Sequence, residues 1–186
     1  MSATAAIDPG ITGSICISGT LITLHDMPVI EIHKKPAKKG AKAKIKREVD
    51  VPRLLSILRD ANVGMVLIEK QQERPAKFST GKGADGESVE RKQGVSSSWT
   101  TAKNYYLIIG ALIGADFSFE EIHVRSWQAS FKIAGNSKGQ SCQIAERLYP
   151  GASFRGPRGR ALDGRADAAL LLEYGRRIGV MGEVEP

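Results

Sequence analysis

Two acidic residues close predicted strands, where a carboxylate can act on a substrate or an ion. Asp8 follows a short apolar run and precedes Pro9 and Gly10, so it ends the first predicted strand at a turn. Glu69 ends a nearly continuous apolar run at 65–69, which is typical of a buried central strand. Ligands commonly bind beyond strand ends in open α/β sheets, although a single acid there is also an ordinary polar terminator. The two positions together raise the hypothesis of a site at one edge of a sheet.

Two further acids lie in the last predicted helix. Asp163 and Asp167 are four residues apart and share a helix face that continues into Leu170, Leu171 and Tyr174. Carboxylates on this apolar stripe face the sheet, where each buried charge costs on the order of several kcal/mol unless a positive charge compensates it. Asp163 is alternatively a natural N-cap, but capping does not explain Asp167.

The four acids form an oxygen-only set of candidate ligands. Such a set suits a hard divalent ion, Mg²⁺ or Mn²⁺, and not zinc. Two ions about 4 Å apart can activate water and stabilise the leaving oxygen of a phosphodiester. Asp8, Glu69, Asp163 and Asp167 are therefore predicted to be catalytic and metal-binding residues, with two ions in each active site.

The hydrophobic pattern predicts the elements that must position these acids. Strands are predicted at 3–7, 13–18 and 21–32, joined by tight turns as an antiparallel meander, and then at 65–69 and 122–124. Helices are predicted at 50–62, with Asp50 as its cap, and at 98–113, 140–148 and 163–178. Residues 74–95 are predicted to be a flexible loop. The chain of 186 residues is thus expected to form one α/β domain, a mixed five-stranded sheet flanked by helices.

The net charge of +7 is concentrated in one segment. Residues 33–47 carry eight basic side chains and no acid, which leaves 19 basic residues against 20 acidic ones in the rest of the chain. Proline, glycine and mutual repulsion disfavour a helix there, so a mobile basic arm is predicted at about 33–48. Such an arm suits a polyanion, because each neutralised phosphate releases counterions. A solvated loop that only aids solubility is the alternative.

Several classes of protein are disfavoured by the sequence. The longest apolar stretch, 105–115, contains two glycines and is too short to span a membrane. The N-terminus lacks the pattern of a signal peptide, and Cys16 and Cys142 have no metal-ligand spacing. A cytoplasmic protein with no membrane partner and no nucleotide cofactor is expected. Sugar kinases and ATPases of the actin-like class also begin with Asp and Gly after a first strand, but they are about twice as long.

Three segments, in order, resemble a known family. They are AIDPGITGSICI, VLIEKQQERP and DGRADAALLLEYGRR, and they are similar to motifs of the RuvC-type Holliday-junction resolvases, particularly the phage, mitochondrial and poxviral branches. The resemblance extends from Ala3 to about Arg177. It implies an RNase H-like fold, a homodimer, and Mg²⁺-dependent nicking of paired strands at four-way DNA junctions.

Position by position, the resemblance assigns roles to several residues. Asp8, Glu69 and Asp167 match the acids of the first strand, the fourth strand and the final helix, and Lys138 matches a basic residue that helps at the scissile phosphate. The bacterial pattern has an acid where this chain has Gly164, and Asp163 is the neighbouring acid here. Gln128 stands where bacterial members carry a further basic residue.

Other residues are predicted to contact DNA or a second subunit. Arginines near the final helix either hold the carboxylates electrostatically or contact phosphates. The helix with Trp99, Tyr105 and Tyr106 is either a dimer contact or ordinary core. The residues predicted to bind DNA are Lys34, Lys35, Lys38, Lys39, Lys70, Arg74, Arg160 and Arg165.

Two other functions remain open at this stage. One is a related RNase H-like nuclease that acts on other branched DNA. The other is a non-catalytic nucleic-acid-binding protein, in which converging acids without a metal would repel both one another and the phosphates.

Overall fold

A computed structural model describes most of the chain. The described residues are 2–34, 44–71, 77–82, 88–92, 95–133 and 139–180. The strands are β1 (Ala3–Asp8), β2 (Ser14–Ile17), β3 (Thr23–Asp26), β4 (Val29–Lys34), β5 (Lys44–Val49), β6 (Val63–Lys70), β7 (Lys77–Lys82), β8 (Ser88–Lys92) and β9 (Ser118–His123). The helices are α1 (Val51–Asp60), α2 (Val95–Gly114), α3 (Val124–Ser130), α4 (Gln140–Leu148) and α5 (Asp163–Arg177). No helix in these ranges is both long and apolar enough to span a membrane.

Five strands form the central sheet, in the order β3-β2-β1-β6-β9. β2 pairs antiparallel with both β1 and β3, whereas β6 pairs parallel with β1 and with β9. This confirms the predicted fold, in which three antiparallel strands are followed by two parallel ones and the sheet is flanked by helices.

Alternation along the strands divides the core between the two faces of the sheet. Ala5 and Ile7 of β1 pack with α1 and α2, whereas Ala6 packs with α3, α4 and α5. Successive side chains of a strand point to opposite faces of the sheet. Residues of β1 with even numbers therefore lie on the same face as Ala6. Asp8 has the parity of Ala6 and therefore belongs to the α5 face.

The third strand is shorter than predicted. Instead of one strand at 21–32, β3 ends at Asp26 and β4 begins at Val29 in a separate two-stranded sheet. The reason lies at Met27 and Pro28: the backbone N–H of Met27 donates to Gly13, and Pro28 has no N–H to continue the ladder. The Pro28 carbonyl instead accepts from Asp50, at the start of α1.

The predicted basic arm has strands at its two ends, which corrects its boundaries. β4 and β5 pair antiparallel from Val29↔Val49 to Lys34↔Lys44. Glu48 fastens this hairpin, since it accepts from Lys46 at 2.7 Å and from Lys103 of α2 at 2.6 Å. These two cations lower the pKa of Glu48 to about 2. Residues 35–43 of the predicted arm lie outside the described residues.

The predicted flexible loop at 74–95 contains two paired strands that the sequence analysis did not predict. β7 and β8 pair antiparallel, with Lys77 opposite Lys92 and Phe78 opposite Arg91. Phe78, Thr80 and Val89 are residue types that favour strands. The many Gly, Ser and Lys residues around them favour a loop, so the strands were not predicted. Residues 72–76, 83–87 and 93–94 lie outside the described residues.

The predicted helices are present, with one error of orientation. Asp50 caps α1 as expected, and its side chain accepts from the Arg53 N–H. In α2 the buried side is formed by Tyr105, Ile108 and Leu112, whereas Trp99, Tyr106 and Ile113 are exposed. The core alternative is therefore wrong for Trp99 and Tyr106 and correct for Tyr105.

The last parallel strand begins earlier than predicted. β9 starts at Ser118, and Val124 is the first residue of the short helix α3 rather than part of a strand. Alternating polar residues in SFEEIH hid the strand, because its position at the edge of the sheet leaves most of its side chains exposed. α3 was not predicted.

Helix α5 approaches the turn between β1 and β2 very closely. A Cβ atom at Gly164 would lie 2.6 Å from the Thr12 carbonyl oxygen and 2.8 Å from the Gly13 Cα. A Cβ at Gly13 would in turn lie 2.1 Å from the Asp8 carbonyl oxygen. Backbone atoms cannot yield as a flexible side chain does, so Gly164 allows the close approach of α5, whereas Gly13 allows the tight turn that follows Asp8.

Gly164→Ala is expected to lower the free energy of unfolding by about 1–3 kcal/mol, because the added methyl group overpacks a backbone contact. Gly151→Ala is the matched control, since a Cβ at Gly151 meets nothing within 4 Å. The control should stay within about 0.5 kcal/mol of the wild type. Urea unfolding measures both variants, and equal stability of the two would contradict the close approach.

Candidate active site

Asp8 and Glu69 come together because of strand register. β1 and β6 are parallel neighbours in which Ile7 pairs with Ile68, so the two acids follow in corresponding positions. Leu67, two residues before Glu69, packs in the α5-side core, as does Ala6 before Asp8. Both carboxylates therefore point to the same face at the same edge of the sheet, as predicted.

Asp167 reaches this edge from helix α5. Its charge acts on both Asp8 and Glu69, and the Ser141 side chain of α4 forms a hydrogen bond with its carboxylate. The sequence prediction that Asp167 faces the sheet is confirmed, because its neighbours Ala166, Ala168 and Leu170 are fully buried. Asp8, Glu69 and Asp167 each keep part of their surface accessible.

Burial raises the pKa values of all three carboxyls, and repulsion between neighbouring charges adds to the effect at Glu69 and Asp167. Burial raises the pKa of Asp8 to about 6. Burial, followed by the charges of Asp8 and Asp167, raises the pKa of Glu69 to about 8. Burial also raises the pKa of Asp167 to about 7, with the charges of Asp8 and Asp163 contributing. Near neutral pH and without a cation, the group therefore keeps protons that exposed carboxyls would have lost.

Hydrogen bonds orient these carboxylates, and two of the donors were missed in the sequence. The Trp127 indole N–H donates to Glu69 Oε2 at 3.0 Å from a fully buried position on α3. Ser141 binds Asp167, and the Gly10 N–H lies 3.4 Å from Asp8 Oδ1. A signal for Trp127 existed, since a buried indole N–H usually requires an acceptor. Ser141 had none, because a serine in the first turn of a helix is commonplace.

Asp163 does not cap helix α5. The N-cap residue is Leu162, whose carbonyl accepts from Arg165 and Ala166, and no side-chain capping bond is present. Asp163 is exposed, and the Cys142 thiol donates to its Oδ1 at 3.7 Å. The capping alternative is thus wrong, while the role of Asp163 as a ligand stays a prediction.

The close approach at Gly164 explains the departure from the bacterial pattern. Besides the backbone contacts, a Cβ at this position would lie 3.1 Å from Asp8 Oδ2. An acid at 164 would need α5 to move away from β1. Asp163 occupies the preceding position, where its side chain has room.

The chemistry of the acidic set fits a hard divalent cation. All the donors are carboxylate oxygens, and no cation among the described residues forms an ion pair with Asp8, Glu69 or Asp167. Within the described residues, however, no three His, Cys, Asp or Glu side chains are arranged as a ready coordination group. The carboxylates thus interact electrostatically, but they do not form a preformed ligand sphere for a metal ion.

The predicted basic residues are placed differently from one another. Lys70 ends β6 beside Glu69 and is partly buried. Arg165 forms two hydrogen bonds with Asp26 of β3, at 2.6 and 2.9 Å. Its carboxylate partner is therefore Asp26 and not one of the acids of the site. Arg160 is exposed before α5. Lys34 ends β4, and the residues outside the described ranges are Lys35, Lys38, Lys39, Arg74 and Lys138.

Comparison of whole chains identifies the fold. No family model matches this chain, and no curated protein matches it in sequence. Among solved structures it is similar to Thermus thermophilus RuvC in complex with a Holliday junction substrate, with a TM-score of 0.53 and 11% identity over 96% of this chain and 97% of that one. A further Thermus thermophilus RuvC structure gives a TM-score of 0.50 and 13% identity, over 95% of this chain and 96% of that one. The chain therefore has the RNase H-like fold of RuvC along nearly its whole length.

Proposed function

We propose that this protein is a Mg²⁺-dependent endonuclease that resolves four-way DNA junctions by paired nicks. The observation that carries the proposal is the convergence of Asp8, Glu69 and Asp167 on one face at one edge of the sheet. Burial is the main cause of their raised pKa values, repulsion adds to it at Glu69 and Asp167, and no described cation offsets either effect. A site built this way gains stability when a divalent cation enters.

Asp8, Glu69, Asp167 and Asp163 would hold the metal. When bound, Mg²⁺ or Mn²⁺ would supply charge neutralisation at the phosphate and a water of lowered pKa. The protein's part is orientation. Trp127 holds one oxygen of Glu69, and Ser141 restrains Asp167, so both carboxylates are fixed before the substrate arrives. Lys138 is proposed to assist at the scissile phosphate.

Branched DNA is proposed as the substrate on two grounds. The fold is that of a RuvC whose structure contains a Holliday junction substrate. In addition, the positive excess of the chain lies at 33–47, next to a hairpin that Glu48 and Lys103 fasten to helix α2. A segment with this excess of positive charge suits the phosphates of DNA.

A homodimer is proposed because paired nicking needs two sites. The exposed face of α2 provides a surface for it: Trp99 is 73% exposed, Tyr106 63% and Ile113 59%. Large apolar side chains clustered on one exposed helix face mark interaction surfaces. The opposite face of α2 already packs on the core through Tyr105, Ile108 and Leu112.

Asp8→Asn is expected to abolish nicking of a labelled four-way junction in Mg²⁺, because it removes a central carboxylate. Binding of the junction in EDTA should be kept or strengthened, since an acid facing phosphate is lost. Wild type and variant are compared on four-way, forked and linear DNA, in Mg²⁺ and in EDTA. Asp60→Asn is the control, because Asp60 is exposed at the end of α1. It precedes the start of β6, whereas Glu69 lies near the other end of that strand.

The outcomes separate the candidate functions. Full nicking by Asp8→Asn would contradict the active site. Faster cleavage of forks than of four-way junctions would favour a nuclease for other branched DNA. If the wild type binds DNA but cleaves none of the three substrates in Mg²⁺, the protein is a non-catalytic DNA-binding protein.

In EDTA, the stability of the wild type is expected to fall as the pH rises from about 5 to 8. The folded carboxyls titrate near 6, 7 and 8, above their unfolded values of 3.8 to 4.5, so the folded state holds more protons in this range. Each such proton contributes a slope of up to about 1.4 kcal/mol per pH unit. Urea unfolding of Asp8→Asn should show a flatter slope, because one group and its repulsion are gone. Identical slopes would contradict the coupling.

Ile113→Glu is expected to convert a dimer to a monomer without unfolding the chain, because it places a charge on the exposed α2 face. Leu21→Glu is the matched control, since Leu21 is 81% exposed and lies at a turn away from α2. Sedimentation equilibrium measures the mass of each. Retention of the dimer by Ile113→Glu, or a monomeric wild type, would contradict the proposed interface.

A further inference from the structure

The chain folds into a closed loop immediately before helix α5. Arg155 pairs with Ala161 across this loop, and the Gly156 N–H donates to the Arg160 carbonyl at 2.8 Å. At its base, Leu162 N donates to the carbonyl of Phe154, whose side chain is 1% exposed in the core. Residues 155–161 are called the arginine loop here, because three of the seven are arginines.

Two neighbouring arginines fix the base of the arginine loop. Arg155 binds Glu146 of α4 through two hydrogen bonds, at 2.6 and 3.2 Å. Arg165 binds Asp26 of β3 and also donates to the Ser153 carbonyl at 3.3 Å. The positive charges of Arg155 and Arg165 are thus already matched, and the loop is held between α4 and β3.

Arg158 and Arg160 occupy the tip of the loop without such partners. Both are exposed, and neither forms an ion pair with a residue in the described part of the chain. Arg158 has φ 62° and ψ 24°, a left-handed conformation that disfavours residues other than glycine, asparagine and aspartate. Backbone conformation therefore gives no reason for an arginine at this position.

The arginine loop leads directly into helix α5, which carries Asp163 and Asp167. Arg160 precedes Asp163 by three residues, a span of at most about 11 Å. Glu146 raises the pKa of Arg155 most, and the charge of Asp163 adds to that effect, which places the acid beside the loop. The acids hold unmatched negative charge and the loop tip holds unmatched positive charge, yet the described structure pairs neither set with the other.

We propose that Arg158 and Arg160 bind backbone phosphates of the DNA strand directly beside the bond that the acidic cluster cleaves. This inference rests on the proposed nuclease function. A guanidinium presents two parallel N–H groups that match phosphate oxygens, and a loop fixed at its base aims them before binding. The contact carries no sequence information, because it is made to phosphate. Arg165 is not assigned this role, because it is already bound to Asp26, and its contact with DNA stays a prediction.

Binding of a four-way junction in EDTA, over a series of KCl concentrations, tests the proposal. Arg158→Ala should weaken binding about tenfold and reduce the slope of log K against log salt by about one unit. Arg59→Ala is the matched control, because Arg59 is exposed at the end of α1. That end leads into the start of β6, whereas Glu69 lies near the other end of β6. The control should change binding less than about twofold. Equal losses in the two variants would overturn the proposal.

Arg158→Gly distinguishes the effect of the side chain on DNA binding from its effect on stability. Glycine adopts the left-handed conformation freely, so the melting temperature should rise by about 2–4 °C. Junction binding should nevertheless fall as much as in Arg158→Ala. Wild-type binding by Arg158→Gly would overturn the assignment.

A junction with one methylphosphonate beside the mapped cleavage position locates the contact. Wild type should lose affinity on this uncharged linkage, and Arg158→Ala should lose nothing further, because both changes remove one interaction. Additive losses would place the contact elsewhere and overturn the proposal.

The nuclease function and the loop assignment fail in different ways. Cleavage by the wild type, combined with an unchanged salt slope for Arg158→Ala, would reject the loop and keep the nuclease. A lost unit of slope in a protein that cleaves no DNA would reject the nuclease and keep the loop as a phosphate-binding element.

Discussion

Repulsion among partly buried carboxylates is the constraint around which the active edge of this protein is organised. Asp8 and Glu69 are brought together by parallel pairing of β1 and β6, and a slip of one residue would turn Glu69 to the opposite face. The backbone register therefore maintains an arrangement that electrostatics opposes. Stability for that register comes from the apolar residues before each acid, Ile7 and Ile68 on one face and Ala6 and Leu67 on the other, all fully buried. The hydrophobic effect offsets the cost of holding like charges together.

The position of α5 follows from the same requirement. Asp167 acts on Asp8 and Glu69 only if the helix lies close to the sheet, and Gly164 permits that approach by having no Cβ. The absence of a side chain at 164 is then a consequence of packing as much as of chemistry. An acid at 163, exposed and beside the Cys142 thiol, is compatible with this close helix, whereas one at 164 is not.

Sequence patterns predicted those parts of the molecule that local rules determine. The strand-ending positions of Asp8 and Glu69, the Asp50 cap and the inward face of Asp167 all follow from alternation, capping preference and helical periodicity. The break at Met27 and Pro28 was missed because its cause is tertiary: the Met27 N–H bonds to Gly13 and the Pro28 carbonyl to Asp50.

Other features depended on contacts between distant parts of the chain. The exposed stripe of α2 has the same periodicity as its buried one, so the pattern showed an amphipathic helix without showing which side meets the sheet. The bond from Trp127 to Glu69 joins residues 58 positions apart, and no local pattern encodes it. The hairpin β4–β5 needs Lys103 from α2 to hold Glu48, and its charged composition alone indicated an arm.

The arginines near α5 show why residue type alone does not assign a role. Arg155, Arg158, Arg160 and Arg165 lie within eleven positions of the chain, and the sequence predicted DNA binding for Arg160 and Arg165 alone. Glu146 and Asp26, from α4 and β3, divide them into two classes. An arginine with a bidentate carboxylate partner must lose that bond before it can bind phosphate, whereas an arginine at an exposed loop tip loses only water. The fold thus uses acids from two distant elements to determine which of four adjacent cations remain available to a polyanion.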